Sequence, residues 1–232
     1  MTIPEHYSRD IVLRCQSLIR HLLPKVNEGL PDDVQFGGPL RTTFLLAMAT
    51  PMIVLPVERL FKPATHNAGQ AGDDRELDPA LADEVRDVLG EGRTFGQAPF
   101  AKTTTWSYVH RHQQFNIADN WPINLLHSLD EPQAVAAARD ASARRIVLDL
   151  RNALAHGGVA YLDEGGRNNR EGYEATMFGF VGTDKKRGKI VGLNVLRVHQ
   201  NDFKVFLETW AEWLSKTSIL KTLSRSRLIA AE

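Results

Sequence analysis

Leu150-Arg151-Asn152-Ala153-Leu154-Ala155-His156-Gly157 decides our interpretation of this chain, because it combines a helix end with a chemically capable set of side chains. A glycine directly after a helical run favours the left-handed backbone that ends many helices. The guanidinium of the arginine keeps its charge at physiological pH and suits phosphate. The imidazole of the histidine gains or loses a proton near neutrality. The stretch therefore predicts a helix end equipped to cleave a phosphodiester without a metal.

The residues before this stretch predict one long helix. Asp130 is a candidate N-cap, and Pro132 fits the first turn, where a missing N–H does no harm. From there the helical pattern continues to Ala155, which gives a helix of about 37 Å at 1.5 Å per residue. We expect the helix to end at Gly157, with His156 in the last turn, where the negative end of the helix dipole favours a charged imidazole.

Helix geometry sets the angles between the polar side chains of the stretch. Asn152 and His156 are four residues apart and lie on one face. Arg151 lies roughly 140° around the helix from His156, but its long side chain can reach toward the histidine. Arg144 lies two turns before Arg151 on nearly the same face and is a candidate for a further phosphate contact.

Apolar periodicity predicts four helices before the long one, and the region 106–120 stays ambiguous. The four helices are residues 7–23 (closed by Pro24), 40–61, 79–89 and 121–129. Residues 44–57 are nearly all apolar, but this run of 14 is shorter than the roughly 20 residues that a bilayer requires. Two prolines interrupt it, so we interpret it as a kinked core helix and expect no membrane partner.

The pattern changes after Gly157. Branched and aromatic residues punctuated by glycines predict two or three strands, at residues 159–162, 175–181 and 189–198. The fold predicted from the sequence is therefore mainly α, an up-and-down helical bundle with a small antiparallel β insert between the last two long helices. The insert covers about residues 158–198 of a single domain, 1–232. Residues 201–214 return to helical spacing, and 216–232 form a tail that can fray.

Composition excludes several classes of protein. The chain has 28 basic and 28 acidic residues, so it is not a strongly basic nucleic-acid binder. Its single cysteine, Cys15, excludes an internal disulfide and a cysteine-based zinc site. The first residues lack the basic and apolar regions of a signal peptide, so we expect a cytoplasmic protein. No cofactor is predicted.

Two further groups of residues each allow two interpretations. His110 and His112 could be metal ligands on one face of a strand, but no carboxylate or third histidine stands at a helpful spacing, and we predict no metal. The basic run 185–189 is typical of a solvated β-turn, and a contact with an RNA backbone is the alternative.

The run Arg-Asn-Ala-Leu-Ala-His, residues 151–156, resembles the signature of the HEPN superfamily (higher eukaryotes and prokaryotes nucleotide-binding). The flanking residues 146–150 and Gly157-Gly158 resemble the family's motif neighbourhood as well. The resemblance implies a bundle of four or five helices with the motif on a late helix, at a homodimer interface. It implies that Arg151 faces the phosphate, that His156 is the catalytic acid or base, and that Asn152 assists.

Many HEPN proteins are metal-independent endoribonucleases of toxin–antitoxin, antiphage and RNA-processing systems, so the resemblance implies an enzyme that cuts RNA through its 2′-hydroxyl. One histidine cannot easily both accept and donate the protons of that reaction, whereas a two-fold dimer presents the same patch twice. We therefore expect an RNA substrate and a homodimer, with an antitoxin protein as a further partner. The alternatives are a non-catalytic HEPN-like module for dimerisation or for binding RNA or a protein, and an unrelated helical protein.

Overall fold

Eight α-helices and four β-strands make up the computed structural model, which describes residues 3–29, 33–36, 39–65, 72–90, 92–167 and 174–229. The helices are α1 (Tyr7–Glu28), α2 (Arg41–Pro56), α3 (Lys62–Thr65), α4 (Pro79–Val88), α5 (Ile123–Asp130), α6 (Pro132–Asp140), α7 (Ala143–His156) and α8 (Gln200–Ile229). The strands are β1 (Trp106–Arg111), β2 (Val159–Leu162), β3 (Met177–Lys186) and β4 (Lys189–His199). A π-turn, Val57–Phe61, joins α2 to α3, and 3-10 turns occupy Asp33–Phe36 and Phe95–Gln97.

The four strands form one antiparallel sheet in the order β1-β4-β3-β2. Because β1 precedes α5, α6 and α7 in the chain, the sheet is not an insert between the last two long helices. The prediction of an up-and-down helical bundle with a small β insert is therefore wrong, and the fold is mixed α/β. The ambiguous region 106–120 contains the missing strand, which exists only by pairing with β4 across the chain, Trp106 opposite Val198 and Arg111 opposite Leu193.

Packing on both faces makes the sheet the centre of the molecule. Phe180 and Leu196 join the main core with the aromatic residues of α8, whereas their neighbours Val181 and Val195 join a second cluster beneath α5. Alternate residues of a strand point to opposite faces, so each strand contributes to both clusters. The main core contains a continuous set of rings, Phe95, Phe100, Trp106, Phe178, Phe180, Phe203, Phe206, Trp210 and Trp213.

The long helix predicted up to Ala155 is divided into α6 and α7. Ala141 and Ser142 adopt extended conformations between them, and the loop before β1 pairs with this break. Phe95 N–H donates to the Ala141 carbonyl (2.7 Å), and Ala143 N–H donates to the Arg93 carbonyl (2.9 Å). These tertiary hydrogen bonds replace helical ones, and the Ser142 side chain accepts from Arg145 N–H as the N-cap of α7.

Two other helices end at positions that differ from those predicted from the sequence. The sequence predicts that Pro24 ends the first helix, but α1 continues through it to Glu28. The final helix, α8, extends well past residue 214 to Ile229.

The apolar segment Arg41–Phe61 has the length and composition of a membrane span, a property that the core helix of a soluble protein shares. In this fold the side chains of Leu45, Ala49, Met52 and Ile53 are completely buried. They pack in the main core together with residues of α1, α7 and α8. This burial agrees with the core helix expected from the sequence.

Candidate functional site

The predicted site residues lie in the last turns of α7, whose C-terminal end is capped by Gly157. Gly157 adopts the left-handed conformation (φ 74°, ψ 20°), and its N–H donates to the Ala153 carbonyl. Arg151 and Asn152 are half-buried, whereas His156 is exposed. The helix end was therefore predicted correctly, although its start was not.

Arg151 is held by two oxygen acceptors. Its Nη1 donates to Asn152 Oδ1 (2.7 Å), and its Nη2 forms an ion pair with the Glu58 carboxylate. The same Glu58 oxygen lies 2.7 Å from Lys62 Nζ. Only 14% of the Arg151 side chain is exposed, so the guanidinium has a restricted orientation at the protein surface.

Glu58 is a site residue that the sequence analysis missed. A signal for it was present, because Glu58 is the only acidic residue in the apolar stretch 41–61. A carboxylate in such a stretch is expected to have a cationic partner once the helix is buried. The sequence did not show which of the many basic residues would be that partner.

The π-turn that carries Glu58 is anchored on a second side. Its next residue, Arg59, forms an ion pair with the fully buried Asp74 (Nη2–Oδ1 2.6 Å) and lies over the Tyr7 ring. Asp74 Oδ2 also accepts from Ser8 N–H and from the Ser8 hydroxyl. Burial tends to raise the pKa of Asp74, but these hydrogen bonds and the Arg59 charge outweigh it and lower that pKa. The ionised anchor therefore fixes the turn that holds Glu58 against α7.

Arg144 lies on the same side of α7 as Arg151, as predicted. Its guanidinium stacks over the ring of Phe61, 5.5 Å from the ring centroid. Within the described residues it forms no ion pair with a carboxylate. The two arginines therefore both face the π-turn, and Arg144 retains an uncompensated charge for an anion near the site.

His156 lies one helical turn after Asn152, and the two side chains share a face. In the described part of the chain, no hydrogen bond or ion pair involves its ring, and none joins it to Arg151. The structure thus brings Arg151 and Asn152 together, and it leaves the imidazole available to a ligand.

An open cleft of about 630 Å³ adjoins the end of α7. Leu154 and Gly157 form one side, Leu46 of α2 another, and Tyr161 of β2 a third. The Tyr161 hydroxyl donates to the Thr43 hydroxyl (3.2 Å). The cleft is lined mainly by apolar side chains with a few polar groups, such as Thr50 and the Tyr161 hydroxyl, a composition that is common in ligand-binding clefts.

His110 lies near the end of β1 and His112 directly after it, with their rings edge to face and 4.9 Å apart. His110 Nε2 is 3.1 Å from Asp184 Oδ2, and His112 Nδ1 is 3.4 Å from the Val191 carbonyl oxygen. Among the residues that the structure describes, no group of three or more His, Cys, Asp or Glu side chains is arranged to hold a metal ion.

A second polar cluster that the sequence analysis missed lies between α7 and the sheet. Asp149, which is 5% exposed, accepts from Asn194 Nδ2 (3.2 Å) and has Arg145 Nε 3.4 Å from its other oxygen. Burial raises the pKa of Asp149 to about 6, against the opposing influence of Arg145 and Asn194. Arg145 also contacts Asp184 (3.3 Å), and the Tyr108 hydroxyl donates to Asn194 Oδ1 (2.8 Å).

No curated protein and no solved structure is significantly similar to this chain. The family model described as HEPN pEK499 p136, in contrast, matches residues 1–221. The match includes α7 with Arg151, Asn152 and His156, and also the whole sheet and the N-terminal helices. The chain therefore belongs to the HEPN superfamily, in the family described as HEPN pEK499 p136.

Proposed function

We propose that this protein is a metal-independent endoribonuclease. The observation that carries the proposal is the exposed His156 imidazole at the capped end of α7, on the same helix as an arginine held by Glu58 and Asn152. An exposed imidazole can exchange a proton with a bound substrate. A fixed guanidinium stabilises charge on phosphoryl oxygens without reorganising during the reaction.

RNA supplies its own nucleophile for this chemistry. His156 removes the proton of a 2′-hydroxyl, or protonates the departing 5′-oxygen, while the 2′-oxygen bonds to phosphorus and the phosphorus–5′-oxygen bond breaks. The products are a 2′,3′-cyclic phosphate and a 5′-hydroxyl. Arg151, aided by Asn152 and Arg144, offsets the negative charge that accumulates on the phosphoryl oxygens.

A homodimer is part of the proposal. Each chain offers one histidine in the site, and the reaction needs both a proton acceptor and a proton donor. A two-fold dimer would place two copies of Arg151 and His156 in one cleft. In the cell, we propose a cytoplasmic toxin or antiphage effector, restrained by an antitoxin protein.

Cleavage of RNA in the presence of EDTA tests the proposal. We expect His156→Ala and Arg151→Ala each to lower the cleavage rate by about 10² or more, as is usual for the loss of an acid–base or charge-stabilising group. His127→Ala, which removes an exposed histidine from α5, is the matched control and keeps the wild-type rate. Undiminished cleavage by both site variants, with their folds intact by circular dichroism, would refute the assignment.

One observation favours a second function, a non-catalytic HEPN module that binds RNA or a protein. The Arg151 guanidinium already has a carboxylate partner in Glu58, and a phosphate must compete with that partner. If the wild-type protein cleaves no RNA while it dimerises and binds RNA as tightly as His156→Ala does, the module is the correct function.

A further inference from the structure

The turn between β3 and β4 carries four cations in five residues, Lys185, Lys186, Arg187 and Lys189, around Gly188. The two strands extend beyond both of their neighbours in the sheet. β2 pairs with β3 only as far as Phe180, and β1 pairs with β4 only from Leu193. Residues 184–192 therefore form a two-stranded extension of the sheet, which we call the basic arm and which is exposed over residues 185–190.

Stability does not explain the residues at the tip of the basic arm. Lys186 and Lys189 are directly opposite each other in the register, and like charges in that position destabilise a hairpin. Arg187 has a φ of 50° and Gly188 a φ of 78°. This left-handed pair is the two-residue turn in which Asn-Gly is preferred, because asparagine tolerates positive φ better than arginine.

The four cations also lack acidic partners. Within the described residues, none of them forms an ion pair with a carboxylate. Asp184, the acidic residue of the arm, is already engaged by His110 (3.1 Å) and Arg145 (3.3 Å). A dense, uncompensated positive charge on a chain whose net charge is zero indicates a polyanionic ligand.

We propose that the basic arm binds the phosphate backbone of the RNA substrate; this inference rests on the proposed function. Asp184, at the base of the arm, contacts Arg145 near the start of α7. His156 lies eleven residues further along the same helix, which is about 16 Å at 1.5 Å per residue. A dinucleotide at His156 is too short to reach the arm, whereas a longer RNA contacts both. The arm therefore strengthens the binding of long substrates and takes no part in bond cleavage.

The binding test uses the full-length His156→Ala chain and a fluorescein-labelled single-stranded RNA of about twenty nucleotides, measured by anisotropy across a range of salt concentrations. The arm variant carries three further substitutions in this chain, Lys186→Gln, Arg187→Asn and Lys189→Gln. We expect it to bind the RNA at least tenfold more weakly than His156→Ala alone. The slope of log K against log salt should fall by about 0.7 for each lost phosphate contact. The control variant removes the same number of positive charges from helices, through Arg86→Gln, Lys204→Gln and Lys216→Gln. We expect its RNA affinity and its salt slope to equal those of His156→Ala alone.

Two further measurements distinguish RNA binding by the arm from a purely structural role of its turn. Arg187→Asn alone should raise the melting temperature and weaken RNA binding together, whereas a turn with only a structural role would raise the melting temperature and leave binding unchanged. In the otherwise wild-type chain, the triple arm variant should cleave a dinucleotide at the wild-type rate and the long RNA more slowly at subsaturating concentration.

Equal affinity and equal salt slope for the arm and control variants would overturn the inference, as would the absence of RNA binding by His156→Ala. If the wild-type chain cleaves no RNA but the arm variant loses binding, the arm is correctly assigned and the catalytic proposal fails. If cleavage is confirmed while the arm variant binds like the control, only the arm is wrongly assigned.

Discussion

Replacement of Asp149 by asparagine should stabilise the protein at neutral pH. Asp149 is nearly completely buried between α7 and the sheet, and burial raises its pKa from an ordinary value of 3.8 to about 6. A raised pKa means that the folded state binds the proton more tightly than the unfolded state does. The ionised carboxylate therefore costs stability above about pH 6, and that cost disappears as the pH falls from about 6 toward 3.8.

The size of the effect follows from the pKa difference. A difference of about two units corresponds to about 3 kcal/mol between the ionised and neutral forms. Asparagine cannot ionise, and its Oδ1 can still accept from Asn194 Nδ2, as Asp149 Oδ1 does. We therefore expect Asp149→Asn to raise the free energy of unfolding by up to about 3 kcal/mol at pH 7.5 and by only about 1 kcal/mol at pH 4.5.

Urea unfolding followed by tryptophan fluorescence at both pH values measures this difference. Asp140→Asn, a change at an exposed acid at the end of α6, is the matched control and should have a small effect at either pH. A variant at Asp149 that is less stable than the wild type at pH 7.5 would contradict the reasoning, because it would show that the ionised carboxylate stabilises the fold.

Two other substitutions test the environment of the site. Glu58→Gln keeps the shape of the side chain but removes the charge that orients Arg151, so the single-turnover rate of RNA cleavage should fall about tenfold or more; an unchanged rate would show that Glu58 does not position the arginine. Gly158→Ala would place a methyl group against the Val181 carbonyl oxygen and 3.2 Å from Ala153 Cα. Its free energy of unfolding should fall by about 1–3 kcal/mol, and a thermal melt as high as that of the wild type would show that β3 can move away from α7.

Local chemistry explains the parts of the structure that the sequence predicted. The Gly157 cap, the last turn of α7 and the strand 159–162 depend on short-range preferences, which are visible in the sequence itself. The HEPN resemblance of residues 151–156 was confirmed by the family match across residues 1–221.

Long-range contacts explain the features of the structure that the sequence analysis predicted wrongly or missed. β1 becomes a strand because β4 offers a partner more than eighty residues away, and α6 separates from α7 because Arg93 and Phe95 bond to the backbone at the break. Glu58 finds its partner, Arg151, across a similar distance along the chain. Such contacts leave no periodic signal, since each depends on the position of a second segment.

The order of the strands has a consequence for the synthesis of this protein. A chain emerges from the ribosome N-terminal end first, and α7 precedes β3, β4 and α8. Until those elements emerge, the side of α7 that holds Asp149 has no sheet to pack against, and β1 has no strand to pair with. We therefore expect the helix that carries Arg151 and His156 to reach its packed form only after β3, β4 and α8 have been synthesised. The surface at the end of α7 is therefore complete only after the C-terminal half of the sheet has folded onto it.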